Sequence, residues 1–400
     1  MLAAMFAAAL AACGGAAASK ATVIATPDYV RTCSAEAYAG KPRVDHVPVL
    51  PGSSALRPVG GELPLQAREA LEQDLEWVLR NTAAPGITAA VGIPGKGIWS
   101  ATRGVNNDGA RTPFAAPALF HWASVGKAFT AMVIAQLEEE GRLSPDAALA
   151  NWFPDFPNAQ AITIGHLLTH TSGIYSYQAD PEYRAMRGYQ PPERAIEIAA
   201  AHGNAFCPGQ YWSYSNTGYA LLGKIIEKIE GVPFHQVVEQ RIIARARLSH
   251  LYALAPGQSI AAMARIDDAF VPSNPFSAGN IVATSEDMVR FWHAFVAGQI
   301  IRLESLTSAL SALYPMFGMD SQFYGRGIML YTFNNPDGEK QVWIGHSGGT
   351  PGLHTVVAYD VRSNVIVAVA VNADVSPLAV ANKLLGSVRR HGLSIYANDN

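Results

Sequence analysis

The sequence predicts an α/β chain of the α+β kind: one antiparallel sheet assembled from both termini, flanked by helices, with a helical lobe inserted between the two sheet portions. Three observations predict it. Short β-rich runs joined by turns occupy residues 86–103, four more occupy 327–372, and helical spacing dominates 120–295. With 400 residues, 49% of them hydrophobic, the chain has ample material for a large core.

Residues 1–13 read as an apolar export segment that ends in Leu10-Ala11-Ala12-Cys13-Gly14. That ending resembles the bacterial lipobox, in which the cysteine becomes the lipid-bearing first residue. No Lys or Arg precedes the apolar run. The expectation is an exported, periplasmic protein attached to a bacterial membrane through a lipid on Cys13. Residues 14–64, rich in Ala, Gly and Pro without a sustained period, read as a flexible tether. Cys33 and Cys207 remain, either as one disulfide in an oxidising compartment or as two free thiols.

Residues 65–400 form the expected catalytic domain, with a sheet lobe at about 65–119 and 296–400 and a helical lobe at about 120–295. A first helix covers 65–81, where Leu71, Leu75, Val78 and Leu79 share one side. Strands at 86–93 and 97–103 are joined by the hairpin turn Pro94-Gly95-Lys96. Further helices are expected up to Gly141, at 163–170 entered through Thr163, at 219–230 before Gly231 and Pro233, and at 285–297 with Ser285 as N-cap. Strands follow at 327–333, 340–344, 354–360 and 365–372, and a closing helix at 377–390. Such a two-lobed arrangement puts a cleft between sheet and helices.

Charge excludes one class of partner. The net charge is −3, charged residues make up 15%, and no basic block occurs, which argues against nucleic acid. Beyond the N-terminus no apolar run is long enough to span a bilayer.

Ser124-Val125-Gly126-Lys127 carries the chemistry. Residues three apart share a helix face, so the lysine lies one turn above the serine hydroxyl, which is a poor nucleophile without a neighbouring base. The helix that follows is apolar nearly all round (Ala128, Phe129, Ala131, Met132, Val133, Ile134), hence buried, and a buried lysine without a task is costly. Two further motifs stand downstream: Tyr214-Ser215-Asn216 in a loop feeding a helix, and His346-Ser347-Gly348-Gly349 at the end of a β-rich run.

Five ordered segments then resemble the serine β-lactamase and D,D-peptidase superfamily, nearest its class C, penicillin-binding-protein-like and esterase members. They are Leu119-Phe120-His121-Trp122-Ala123-Ser124-Val125-Gly126-Lys127, Leu167-Leu168-Thr169-His170-Thr171-Ser172-Gly173, Tyr214-Ser215-Asn216, Ala278-Gly279-Asn280-Ile281-Val282-Ala283-Thr284 and His346-Ser347-Gly348. The resemblance implies a β-lactamase/transpeptidase-like fold and a serine hydrolase. Ser124 would carry the acyl group. Lys127 and Tyr214 would share the proton work. Asn216 would bind the substrate amide and help order Lys127. The N–H groups of Ser124 and Gly349 would form the oxyanion hole. The strand motif His346, Ser347, Gly348 and Gly349 would contact substrate. No metal or organic cofactor is implied, and the partner is a small-molecule or peptide substrate. Lys and Tyr both titrate near 10 when unperturbed, so in a dry cleft they act as a coupled pair.

His346 departs from the Lys-Thr-Gly of the β-lactamases. Histidine is largely neutral near pH 7, which weakens carboxylate recognition and counts against efficient β-lactam hydrolysis. Among the candidate substrates (D-amino-acid peptide, amide, β-lactam and small ester) it leaves the others open. Alternatives stay open: a carboxylesterase using the same site, or a catalytically silent peptidoglycan- or β-lactam-binding protein. Gly345-His346-Ser347-Gly348-Gly349 also fits the Gly-x-Ser-x-Gly elbow of α/β-hydrolases, with Asp360 and His391 following, although turn and strand signals come after it where a helix is needed. His166 and His170, one turn apart, resemble a zinc pair, but Leu167 stands where the catalytic form has Glu. They are expected to anchor the loop at Thr171. Trp122, Tyr175, Tyr211 and Trp212 are the expected aromatic walls.

Overall fold

The computed structural model describes residues 32–44, 56–265, 270–335 and 338–392; Cys13 and the whole export segment lie outside the described residues. Helix α1 (Leu65–Asn81) buries Ala67, Leu71, Leu75 and Val78, a spacing that gathers them on one face. Strands β1 (Gly86–Ile93) and β2 (Gly97–Gly104) make the expected hairpin. Gly97 sits at φ +129, and a Cβ there would lie 2.6 Å from the Glu62 backbone, so the turn requires glycine.

Strand β3 (Phe120–His121) leads through a 3-10 turn into α2 (Gly126–Glu139). The helical lobe continues with α3 (Ile164–Leu168), α4 (Pro181–Ala185), α5 (Pro192–His202) and α6 (Asn216–Glu230). Helix α7 (Phe234–Val238) runs on through a π turn to Ala246. Strands β4 (Leu251–Ala253) and β5 (Ile281–Ala283) pair with β3 in a small sheet of order β3-β5-β4. Then come α8 (Ser285–Val296), α9 (Leu303–Ala309), β6 (Tyr314–Pro315), β7 (Gln322–Tyr324), β8 (Met329–Asn334), β9 (Lys340–Thr350), β10 (Leu353–Asp360), β11 (Val365–Val371) and α10 (Pro377–Arg390).

The main sheet is eight-stranded and antiparallel, ordered β2-β1-β11-β10-β9-β8-β7-β6. Strand β1 from the N-terminal half pairs with β11 from the C-terminal end, Ile87 opposite Val371. The sheet is thus built from both termini, as the sequence predicts. Helices α1 and α10 cover one face, where Leu71, Leu75 and Leu384 pack with Val367 and Val369; α8 and the helical lobe cover the other, where Phe291 and Trp292 meet Ile366 and Ala368. Every residue of β1, β10 and β11 is therefore buried, which explains the unbroken apolar run of β11. Each large side chain so buried contributes at most about 1.5–3 kcal/mol. Phe129 of α2 stacks on Phe291 of α8 at 3.8 Å and ties the helix after Ser124 to the helix that lies on the sheet.

Five details differ from expectation. Residues 33–44 are not a free tether: Glu36 N–H donates to Pro208 O at 2.8 Å, Ala39 N–H to Gln210 O at 2.8 Å, and Val44 exchanges backbone bonds with Leu313. Strand β9 runs to Thr350, so His346-Ser347-Gly348-Gly349 lies within a strand and not after one. Helix α6 starts at Asn216, three residues early. The cap of α8 is Thr284, whose hydroxyl accepts from Asp287 N–H at 3.1 Å, rather than Ser285. Strands β3 to β7 were absent from the sequence expectation; at two or three residues each they are too short to carry a period.

Candidate active site

Ser124 stands in the 3-10 turn before α2. Ala123, just ahead of it, adopts φ +47, a left-handed conformation that costs a non-glycine residue roughly 1–3 kcal/mol. Trp122 supplies the restraint. Its N–H donates to Ile281 O at 2.8 Å, its indole N–H to Ala283 O at 3.1 Å, and its carbonyl accepts from Thr355 Oγ1 at 3.1 Å. Trp122 is consequently an anchor in the core and not the cleft wall expected of it; it is fully buried.

Two glycine contacts set the nucleophile's depth. A Cβ on Gly126 would come within 2.8 Å of Gly279 Cα. A Cβ on Gly348 would lie 2.4 Å from Trp122 O and 2.9 Å from Ser124 N. Gly348 therefore leaves no room for a side chain between β9 and the Ser124 backbone, while Gly349, beside it, lines the cleft.

Lys127 is completely buried. Its Nζ lies 3.2 Å from Ser124 Oγ and donates to Ala278 O at 2.9 Å. It stands 4.8 Å from the ring centre of Tyr214 and 5.5 Å from that of Tyr219. The carbonyl that orders Lys127 comes from Ala278, inside a segment the sequence singled out without giving it a role. Asn216, expected there, instead donates its side-chain amide to Gln178 Oε1, and its backbone N–H donates to Ser176 Oγ at 3.2 Å. It still lines the cleft, with Ser124 and Tyr214.

Behind Tyr214 stands His170, at φ +60 and completely enclosed. Its ring is 4.2 Å from that of Tyr214 and 4.5 Å from that of Tyr324. His170 Nδ1 accepts from Ser215 N–H at 3.2 Å, and its carbonyl accepts from Ser213 N–H at 2.9 Å. Both ends of the residue thus hold the loop that carries Tyr214. With Nδ1 accepting, the neutral ring carries its proton on Nε2. Burial first, then the charge of Lys127, holds its pKa well below the usual histidine range. His166 is not its partner: His166 Nδ1 accepts from Thr163 N–H at 3.2 Å and closes a capping box on α3. The zinc-pair arrangement is thereby replaced by two separate structural roles.

His346 lies on the inner side of β9, 0% exposed. Its Nδ1 lies 2.6 Å from Ser347 O and its Nε2 3.0 Å from Tyr324 OH, so Nδ1–H donates to the carbonyl and the tyrosine donates to Nε2. Burial, reinforced by Lys127, pushes its pKa down to about 3. This imidazole is neutral and behind the wall, away from any ligand in the cleft.

Ser347 points to the opposite face, its Oγ donating to Met329 Sδ at 3.4 Å. It pairs with Val356 in mid-strand. Asp360 accepts from Ser363 Oγ at 2.5 Å, and His391 Nδ1 lies 2.9 Å from Ser387 O. These bonds engage Asp360 and His391 elsewhere, and no strand-to-helix elbow surrounds Ser347, so the α/β-hydrolase alternative is overturned.

The cleft in front of Ser124 has a volume of about 1140 Å³ and is walled by Tyr38, Tyr177, Tyr183, Tyr211, Trp212 and Phe317 among others. Phe317, at φ +49, meets Trp212 edge-on at 5.2 Å. Tyr211 and Trp212 occupy the wall as expected. Tyr175 does not: its ring stacks on His202 at 3.9 Å. Tyr38, from the segment read as tether, lines the cleft without a sequence signal, as do Tyr177, Tyr183 and Phe317.

Comparison with known proteins agrees with this fold. The penicillin-binding protein 4* of Bacillus subtilis (strain 168) is 30% identical over 278 residues, covering 62% of this chain and 59% of that protein. The esterase EstB of Burkholderia gladioli is 28% identical over 186 residues, covering 42% and 47% respectively. The chain thus spans about half to three-fifths of the length of these relatives. Among solved structures, the D-amino acid amidase from Ochrobactrum anthropi SV3 superposes with a TM-score of 0.72 at 24% identity, covering 82% of this chain and 99% of that one, a likeness of fold. The family model described as Beta-lactamase matches residues 67–388, and the chain belongs to that family.

Proposed function

We propose that this protein is a serine hydrolase that cleaves an amide or ester through an acyl-enzyme on Ser124. The observation that carries the proposal is the 3.2 Å contact between Nζ of the fully buried Lys127 and Oγ of Ser124, which lines the cleft. Family membership and the esterase and amidase likenesses support hydrolysis of amides or esters at the coarse level.

The steps follow from the residues. The Lys127–Tyr214 pair accepts the Ser124 proton as Oγ attacks the substrate carbonyl. In this reading the oxyanion develops between the backbone N–H groups of Ser124 and Gly349, two residues that line the cleft beside the start of α2. Tyr214 returns the proton to the leaving nitrogen or oxygen as that bond breaks. Water then attacks the ester on Ser124, frees the acid and restores the hydroxyl. Asn216 borders the substrate's amide side.

Buried, neutral His346 favours esters and amides over β-lactams, because it offers no charge to a β-lactam carboxylate. Turnover of an activated ester, a D-amino-acid amide and penicillin is the test. Ester and amide hydrolysis that disappears in Ser124→Ala, with penicillin the poorest substrate, is expected. Binding without turnover across the panel would favour a silent binding protein. Lipid attachment at Cys13 and a periplasmic location are also proposed, supported by Leu10-Ala11-Ala12-Cys13; a Cys13→Ser chain that still fractionates with membranes would overturn them.

A further inference from the structure

Residues 33–44 precede the stretch that matches the family, yet they build part of the cleft. Backbone bonds to Pro208 and Gln210 lay this strap beside the loop that leads to Tyr214, and Val44 fixes its far end to Leu313. Tyr38 packs edge-on against Tyr314 at 4.9 Å. The Cys33 thiol abuts the Cys207 thiol, and burial with that contact pushes Cys33 up to about 12. Tyr38, Gly40 and Lys41 face the same cavity as Ser124.

Charge in the cleft is one-sided. Among the described lining residues Lys41 and Arg184 carry charge, and both are cations; Asp267 and Asp268 lie outside the described residues. Lys41 Nζ donates to Gly318 O at 2.5 Å and to Asp320 Oδ1 at 3.1 Å. An ammonium has three donors, so among the described residues these bonds orient it and leave one for a ligand. Asp320 is 88% exposed and Lys41 51% exposed, and such an exposed pair is screened and weak. A ligand carboxylate that reaches the ammonium therefore has only this exposed, screened contact to displace.

We propose that the strap is the substrate-selecting wall and that Lys41 binds an anionic group on the acyl portion of the substrate, so that anionic substrates are favoured over neutral ones and neutral over cationic ones. The proposal rests on the acyl-transfer function above. Lys41 is a specificity residue and takes no part in the chemistry.

The test uses the full chain and three p-nitrophenyl phenylacetates carrying 4-carboxy, 4-methyl or 4-trimethylammonio groups. In the native protein kcat/KM should fall in that order. Lys41→Ala should lower it about tenfold for the carboxylate ester through KM, while the methyl ester changes little. Lys41→Glu should reverse the order. Equal ratios in native and variant proteins, or native preference for the ammonium ester, overturn the proposal. Absence of Ser124-dependent hydrolysis of the methyl ester would instead remove the acyl-transfer function. Calorimetric binding of 4-carboxyphenylacetate and 4-methylphenylacetate then decides the matter: tighter carboxylate binding lost in Lys41→Ala upholds it, and equal affinities overturn it.

Discussion

The two walls of the cleft are made by different means. The inner wall, formed by the turn into α2, the loop carrying Tyr214 and β9 at Gly349, rests on side chains closed to solvent: Lys127, His346 and Trp122 behind it are all 0% exposed, and each is held by hydrogen bonds to backbone carbonyls or a tyrosine. The outer wall is made of the strap at 33–44, the Ser176–Arg184 segment, Tyr211 and Trp212, and the 315–318 turn. Tyr211 and Phe317 there are each 42% exposed. Chemistry needs atoms held in position, which buried backbone bonds provide. Recognition needs an adaptable, partly wet surface, which loops on a rigid scaffold provide.

Substitutions on the inner wall should therefore hurt most. Lys127→Ala and Tyr214→Phe should each reduce kcat for ester hydrolysis by about 10²–10⁴ while the protein stays folded by circular dichroism. Near-native rates for either would dissolve the distinction between the walls. Gly348→Ala is subtler, because the added methyl would press on Trp122 O and Ser124 N. Steady-state kinetics should show a loss of ~10²-fold, the scale of one displaced oxyanion donor, with KM little changed; an unaffected kcat would show that β9 yields.

Acid should act on stability through the inner wall. His346 and His121 have folded-state pKa values of about 3 and about 4, lowered from 6.5 by burial. An unfolded imidazole binds a proton below about 6.5, whereas these folded ones do not. Stability is thus full above that pH and declines as pH falls toward the folded values, by about 1.4 kcal/mol per unit per imidazole. Urea midpoints at about pH 7.5 and about pH 5 should differ accordingly, and His346→Asn should shrink the gap. A midpoint independent of pH would contradict the account.

The same contrast explains what the sequence made legible. The sheet and α1, α8 and α10 could be read because burial imposes periods and capping residues: Leu71, Leu75 and Val78, or Pro377 at the start of α10. The Ser124–Lys127 pairing could be read because i and i+3 on one helix must meet. Ala278 could not, since a backbone carbonyl leaves no side-chain signature. Neither could the opposite orientations of His346 and Ser347, which depend on β9 continuing through a glycine pair that reads as a turn. Tyr38 and Lys41 were invisible for a further reason: they lie in a Pro- and Ala-rich segment whose order comes from pairing with distant residues such as Pro208 and Leu313.

Intact-mass analysis after brief exposure to an activated aryl ester, followed by peptide mapping, tests the central claim most directly. The native chain should gain one acyl mass on the peptide holding Ser124 and lose it with time, while Ser124→Ala gains none. A stable adduct on another residue, or acylation that persists in Ser124→Ala, would contradict the assignment of Ser124 as nucleophile.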